Sequence, residues 1–322
     1  MSTGPGVDLP AFGFGAAQMG NLYRVTPEDM AEAALEAAWD GGLRYYDTAP
    51  HYGMGLSERR LGAMLSTRPR EEFVLSSKVG RRIVPNPGGG AGDDLDHGFA
   101  VPDATRRVWD MSADGVRRSI EESLERLGLD RLDVVYLHDP EEGPEDQGLD
   151  EAIPALVALR EQGVVSAIGV GSKSDRTLAR FVATGALDLV MISGRYTLLE
   201  QPAARELLPL CQEHGTSAVA VSVYNSGILA SDSPSPDSSY EYGRVPREVW
   251  ERAVALAETC REHGVSLPEA ATHFPLRHPA IVNVTLGMRS PEQVASNLSR
   301  MQAQIPDELW EAIDAMGGDR AL

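Results

Sequence analysis

Short apolar runs alternate along the chain with longer segments whose apolar residues recur at helical spacing. The runs fall at 12–16, 43–47, 73–78, 132–138, 164–170, 187–192, 217–222 and 281–286, and each has the length of a strand. Between the first two, Ala31, Ala34, Leu35, Ala38 and Trp39 form one apolar helical face. Thr26-Pro27-Glu28 opens that helix, with threonine as cap and proline at the first helical position, and Gly41-Gly42 ends it. Further helices are predicted over 57–65, 112–127, 149–161, 175–183, 203–214, 246–263, 267–277 and 306–316, and one opens at Ser290-Pro291-Glu292. Residues 1–8 read as a loose polar start.

Two stretches break the rhythm. Residues 80–111 carry Pro85, Pro87, Gly92, Asp93, Asp94 and Asp96 and read as a long irregular insert. Phe99, Val108 and Trp109 within it predict a loop folded over something rather than a free linker. The Ser/Asp/Pro-rich run over 231–239 marks a second loop, spanning 227–245.

Eight strands in alternation with helices predict an α/β protein with a parallel sheet covered by helices. Eight such units match a (β/α)8 TIM barrel, a single domain over 1–322 with the loops 80–111 and 227–245 on its C-terminal face. The competing fold is a doubly wound sheet, which wants a glycine fingerprint after its first strand. Gly15-Ala-Ala17-Gln-Met-Gly20 comes close, but Ala17 stands where the second glycine would let a pyrophosphate approach.

Composition narrows the class. The hydrophobic fraction of 42% is enough for a sizeable core, and a net charge of −19 argues against nucleic acid or an anionic membrane as partner. The two cysteines, Cys211 and Cys260, fall on predicted helices and read as buried thiols. Neither a signal peptide nor a bilayer-spanning run is visible, which predicts a cytoplasmic protein.

The candidate chemistry lies where strands end. The second strand ends at Asp47 with Tyr52 in the loop beyond, the third at Lys78 and the fourth at His138. Singly, such an acid is usually a cap or ion-pair partner, such a lysine is solvated, and such a histidine is packed. A barrel brings all strand C-termini to one face, so three neighbouring strands deliver an acid, a lysine and a histidine beside a phenol. A free phenol titrates near ~10; an adjacent ammonium lowers that pKa, and a carboxylate holds the ammonium charged and in place. Histidine orients a carbonyl or hydroxyl. Carbonyl or alcohol redox chemistry still needs a hydride carrier, which no side chain supplies. Metal chemistry is disfavoured, because the histidines lack paired spacing and no cysteine cluster occurs.

Tyr45-Tyr46-Asp47-Thr48-Ala49 with Tyr52-Gly53, Ser77-Lys78 and Tyr136-Leu137-His138 together resemble the aldo-keto reductase signature. The resemblance covers essentially the whole chain. It implies a nicotinamide cofactor bound in extended form, Tyr52 as general acid/base, Lys78 and Asp47 as the pair that tunes it, and His138 as the group that orients substrate. It also implies cofactor contacts from Gly15, Ala16, Asp47, Ser172, Ser193, Val221, Ser222, Val223, Tyr224, Asn225, Ser226, Gly287, Met288, Arg289, Gln293 and Asn297. Several depart from the common pattern. Gly169-Val170-Gly171-Ser172 stands where many members carry Gly-Val-Ser-Asn, Ser193 where many carry glutamine, and Val221 where an aromatic usually stacks on the nicotinamide.

Gly194-Arg195-Tyr196, Tyr224-Asn225-Ser226-Gly227 and Arg107-Val-Trp109-Asp110 resemble the aldose 1-dehydrogenase branch, to which pyridoxal 4-dehydrogenase also belongs. That branch oxidises a cyclic sugar hemiacetal to a lactone. Gly287 and Gln293 fall where NADP-specific members tend to carry lysine and arginine, so the expected cofactor is NAD, with Arg289 leaving NADP open. Tyr23 and Trp109 are the expected substrate-pocket walls. The competing functions are an NADPH-dependent aldehyde or ketone reductase, pyridoxal 4-dehydrogenase, and a cofactor-binding regulatory subunit. Oligomeric state is not legible.

Overall fold

The structure is a computed structural model and describes residues 7–241 and 243–317. The polar start expected over 1–8 falls mostly outside these residues, as do the outer limits of the 1–322 domain. Eight strands form a closed parallel barrel. In chain order they are β1 (Phe12–Gly15), β2 (Tyr45–Asp47), β3 (Val74–Val79), β4 (Val134–His138), β5 (Ala167–Ser172), β6 (Leu189–Ser193), β7 (Ser217–Val221) and β8 (Ile281–Gly287). Each pairs with its neighbours in sequence, and Phe12–Gly15 lies in register with Val284 to Gly287 to close the ring. Closure excludes the doubly wound sheet and leaves no strand edge open.

Period-two alternation divides the side chains of each strand between two cores. Tyr45, Val134, Tyr136, Ala167, Leu189, Met191 and Val219 pack inside the barrel. Tyr46, Leu75, Val135, Leu137, Ile168 and Val170 point outward into the layer beneath the helices. There they meet the apolar faces of helices such as Glu28–Asp40 and Ala113–Leu127. Each fully buried large apolar side chain contributes roughly 1.5–3 kcal/mol. Cys211 and Cys260 lie in that outer layer, and burial pushes both thiols up to about 12. Among the described residues no helix is long and apolar enough to cross a membrane.

Several local expectations are corrected. The insert 80–111 is not irregular. Arg81–Pro85 pairs antiparallel with Thr105–Trp109, and Asp93–Asp94 with Phe99–Pro102. Pro87 and Gly88 to Gly92 crowd the turn between the arms, and Pro85 and Pro102 end paired strands, so the strand pattern is hidden. The 227–245 loop likewise carries a small ribbon, Ser239–Tyr240 against Gly243–Arg244. β5 starts at Ala167 rather than 164, because the ladder with β4 begins opposite Val134, and it runs on to Ser172 at the rim. Thr26 does not cap its helix. Pro27 occupies the N-cap position, and the Thr26 hydroxyl donates instead to the Gln18 carbonyl at 3.3 Å. Ser112 and Ser290 do cap, accepting from the amides of Gly115 and Gln293.

Candidate active site

Tyr45 and Asp47 are two residues apart on β2, Ser76 and Lys78 on β3, and Tyr136 and His138 on β4. Within each pair both side chains therefore face the barrel interior. The lower members fill the barrel and the upper ones reach its C-terminal mouth. Register sets their heights: Asp47 pairs with Ser76, Lys78 with Tyr136, and His138 with Gly171.

These side chains form one hydrogen-bonded column. The Lys78 ammonium donates to Asp47 Oδ2 at 2.6 Å and to the Thr48 carbonyl at 3.0 Å. Ser76 Oγ donates to Asp47 Oδ1 at 2.7 Å. Below it, Tyr45 Oη lies 3.0 Å from Ser76 Oγ and 3.3 Å from Tyr136 Oη. Burial pushes the Lys78 pKa down, but Asp47 and then Tyr52 more than restore it, so the lysine ends above its ordinary value. A fully desolvated ammonium survives here because a carboxylate and a carbonyl replace its water.

Tyr52 stands above this column, with Lys78 Nζ 4.8 Å from its ring centroid. Its loop is seated by backbone contact. A Cβ on Gly20 would lie 2.5 Å from the Tyr52 carbonyl carbon, and Gly53 has φ 62. Only glycine permits that approach together with that left-handed turn. Ser57 and Glu58, expected as a helix start, do stand in the first turn of a helix and are buried there. Helix Leu56–Leu65 begins one residue earlier, Ser57 Oγ ties Thr48 Oγ1 (2.8 Å) to the Ala16 carbonyl (2.7 Å), and Glu58 pairs with Arg126 at 2.5 Å.

The Tyr52 pKa departs from expectation in sign. Burial pushes it up to about 12, Lys78 pulls against that rise, and Asp47 adds to it. The lysine thus limits a rise imposed by burial rather than producing a phenolate. His138 meets the Tyr52 ring edge-on at 5.8 Å between centroids. Burial, then the charges of Arg81 and Lys78, hold it well below the usual histidine range, so it is neutral. Its Nε2 lies 3.3 Å from Asp139 Oδ2, and Arg81 Nη2 bonds the same carboxylate at 2.8 Å. Burial raises Asp139 to about 6 against the pull of Arg81.

The opposite arc, from β5 round to β1, holds the residues expected around a cofactor. Ser172 Oγ bonds a Glu141 carboxylate oxygen and accepts from the Ser174 amide at 2.7 Å. Ser193 Oγ and Ser222 Oγ are 3.0 Å apart. Val221 is half-buried and Val223 buried. Ser222, Asn225 and Ser226 have φ of 57°, 44° and 59°, giving the loop after β7 a sharply alternating backbone. Asn225 Nδ2 donates to Glu200 Oε1 at 2.8 Å, and Tyr224 Oη donates to Asn297 Oδ1 at 3.1 Å. Gly287 lies beside Gly15 in register, with the Gln18 side chain so close that a Cβ at 287 would sit 2.5 Å from its Nε2. Ala16 and Met288 are buried next to them. Gln18 Oε1, Glu141 Oε2 and Asn225 Oδ1 are buried without a hydrogen-bond partner among the described residues.

Arg289 is turned inward. Its Nη2 donates to the Leu22 carbonyl at 2.6 Å, its Nη1 approaches Thr26 Oγ1 at 3.3 Å, and Gln293 Oε1 accepts from its amide at 2.9 Å. Trp109 is 37% exposed, with the Arg81 guanidinium 4.5 Å from its ring centroid and Gly143 packed close against it. Tyr23 is 56% exposed, and its amide donates to the Gly98 carbonyl of the insert at 2.6 Å.

The whole of this barrel matches one family model, the aldo/keto reductase family, over residues 11–317. The chain belongs to the aldo/keto reductase family. It is 54% identical to the D-threo-aldose 1-dehydrogenase of Pseudomonas sp over 306 residues, covering 95% of this chain and 93% of that one. It is 36% identical to the pyridoxal 4-dehydrogenase of Microbacterium luteolum, covering 97% and 95% of the two chains. Among solved structures it is similar to an aldo-keto reductase from Bacillus halodurans in its holo form, with a TM-score of 0.74, 27% identity, and coverage of 95% and 91%. The protein is an NAD(P)-dependent oxidoreductase.

For an aldo/keto reductase, sequence patterning locates Tyr52, Asp47, Lys78 and His138 but misses what supports them. Ser76, Tyr45 and Tyr136 form the base of the column, and Asp139 and Arg81 flank His138. Period two was the available signal for the first group, since Tyr45, Ser76 and Tyr136 each precede a rim residue by two. Arg81 has no comparable signal, because its place depends on the ribbon.

Proposed function

We propose that this aldo/keto reductase oxidises an aldose, in its cyclic hemiacetal form, at the anomeric carbon to give the lactone, with NAD as acceptor. The observation that carries the chemistry is the desolvated Lys78–Asp47 pair beneath Tyr52, with neutral His138 edge-on to it. The substrate class rests on the similarity to the D-threo-aldose 1-dehydrogenase.

In this reading the anomeric O–H proton passes to Tyr52 Oη, the C1–H electron pair leaves as hydride, and C1–O becomes the lactone carbonyl. A bound oxidised nicotinamide supplies the hydride acceptor and a positive charge, which favours the phenolate of Tyr52. Lys78 stabilises negative charge on the phenol oxygen, Asp47 keeps Lys78 protonated, and neutral His138 orients the reacting oxygen. General acid–base catalysis of this kind contributes ~10²–10⁴-fold.

The arc from β5 to β1 suits a dinucleotide. The hydroxyls of Ser172, Ser193, Ser222 and Ser226 are joined there by the unpartnered Gln18 Oε1, Glu141 Oε2 and Asn225 Oδ1, which match amide and ribose donors. Gly15, Ala16, Val221, Val223, Tyr224, Met288 and Asn297 complete the proposed surround. NAD rather than NADP is supported by Arg289, whose guanidinium is committed to the Leu22 carbonyl, and by Gln293, which offers no positive charge. Tyr23 and Trp109 are assigned to the substrate side of the mouth. A cytoplasmic location accords with this chemistry.

A panel of aldoses and pyridoxal, each with NAD and NADP at matched concentrations, tests the reading through the absorbance of reduced nicotinamide. Aldose oxidation with NAD is the expected result. Pyridoxal turnover without aldose turnover, or a strong NADP preference, overturns the corresponding part. Tyr52→Phe should abolish nearly all turnover while cofactor still binds; a cofactor-binding regulatory subunit would show no turnover to lose.

A further inference from the structure

Arg81 reaches the barrel mouth from the insert. It is the first residue of the ribbon, in register with Trp109, and its guanidinium lies 4.5 Å from the Trp109 ring centroid. Gly143 packs against the same ring, where a Cβ would lie 2.6 Å from it. The Arg81 side chain is 7% exposed, and its Nη2 donates to Asp139 Oδ2 and to Glu142 Oε2, each at 2.8 Å. Ribbon, indole and two carboxylates together fix the guanidinium in one place.

Asp139 directly follows His138. Its backbone is left-handed, with φ 43 and ψ 56, and its amide donates to the Gly171 carbonyl at 2.8 Å. That conformation is uncommon outside glycine, and here it goes with a carboxylate whose Oδ2 is 3.3 Å from His138 Nε2. His138 is neutral, because burial and then Arg81, Lys78, His51 and Arg107 hold its pKa low. A neutral imidazole carries its proton on one nitrogen, and the hydrogen-bonding partners of the two nitrogens decide which. Beside an ionised Asp139, Nε2 keeps the proton. Beside a protonated Asp139, Nε2 becomes the acceptor and the proton sits on Nδ1.

The groups around Asp139 decide its form. Burial, then Glu142 and Glu141, favour the protonated acid; Arg81 is the largest influence towards the ion, with Lys78 behind it, and the balance lies at about 6. The charge of Lys173 is also within reach of this carboxylate.

We propose that Arg81 is a positioning residue: by pairing with the Asp139 carboxylate, it fixes His138 in the tautomer that carries its proton on Nε2. The proposal rests on the role given to His138 above. It makes the insert, which supplies Arg81, part of the reaction's machinery as well as a cover.

Imidazole nitrogen-15 shifts report which nitrogen carries the proton. Full-length enzyme with labelled histidine, titrated across neutral pH without substrate, therefore reads the tautomer directly, with the His138 signals assigned by their loss in His138→Asn. The wild-type signals should show Nε2–H above about pH 6 and Nδ1–H below it. Arg81→Gln should move that switch up by about 1–3 pH units, and Arg81→Lys, which keeps the charge, should restore most of it. Glu142→Gln removes a competing anion from an exposed side chain and should move the switch to lower pH; it decides the matter if Arg81→Gln does not fold. The acid limb of kcat/KM for an aldopyranose with NAD should follow the switch in each variant. A switch unmoved in Arg81→Gln or in Glu142→Gln, or a His138 that becomes doubly protonated in Arg81→Gln, overturns the proposal and leaves Arg81 a packing role. A wild-type enzyme that oxidises no aldose removes the substrate reading alone, because the tautomer is read without substrate.

Discussion

Asp47→Asn isolates the charge of the buried pair. Asparagine keeps the shape and still accepts from Ser76 Oγ, which is 2.7 Å from Asp47 Oδ1 in the native protein. What disappears is the anion 2.6 Å from Lys78 Nζ. The side chains of Lys78 and Asp47 are 2% and 5% exposed, so water does not replace the lost charge. Removing one partner of a buried pair costs about 3–5 kcal/mol. At about 2.1 cal/mol/K per residue and 322 residues, that loss lowers Tm by roughly 4–7 °C.

The pH dependence provides an internal control. The folded pKa of Lys78 lies above its ordinary value because of Asp47. Its stabilisation is therefore fully present below the unfolded lysine pKa of about 10.4 and is lost as pH rises through the folded value. In the variant the largest influence opposing burial is gone, only Tyr52 still pulls the pKa up, and the alkaline loss contributed by the lysine is smaller. The stability difference between the two proteins, measured by urea denaturation, should be largest at neutral pH and shrink above about pH 10. A Tm change under about 2 °C, or a difference that does not shrink in alkali, refutes the claim that Asp47 holds Lys78 charged.

Asp139, raised to about 6 beside His138, should give the kcat/KM profile a rise centred near pH 6 as its carboxylate forms and accepts from His138. Asp139→Asn should flatten that rise in initial rates. The same shift means that ionising Asp139 costs native stability between its unfolded pKa of about 3.9 and its folded value. Gly62→Ala should destabilise by about 1–3 kcal/mol in a thermal melt, since a Cβ there would lie 2.5 Å from the Leu127 carbonyl carbon. Trp109→Ala should raise KM with Tm nearly unchanged if the half-exposed ring touches substrate; a lower Tm at constant KM would assign it to packing beneath Arg81.

The barrel was legible because its two periods are written locally. Apolar runs at strand length recur eight times with helical segments between them, and alternation along a covered parallel sheet leaves few topologies. The rim residues were legible for the same reason, since Asp47, Lys78 and His138 each terminate an apolar run and period two fixes the face they share. The ribbon over 81–109 was not, because antiparallel pairing joins residues as far apart as Arg81 and Trp109 across a glycine-rich turn. Arg289 shows the limit on the cofactor side: its sequence position suggests a phosphate contact, but its direction depends on the carbonyls of residues 22 and 24.

The sequence by itself determined the fold, the identity of the four rim residues and the chemistry their types permit. Tertiary structure alone decided their electrostatics. A lysine near a tyrosine predicts a lowered phenol pKa, yet the closed barrel removes the solvent around Tyr52, and desolvation outweighs the neighbouring charge. The reason is general. Residue identity sets which charges are present, but how much water each one loses, and which polar atoms such as Gln18 Oε1 are left without a partner, depends on every element that closes around the site.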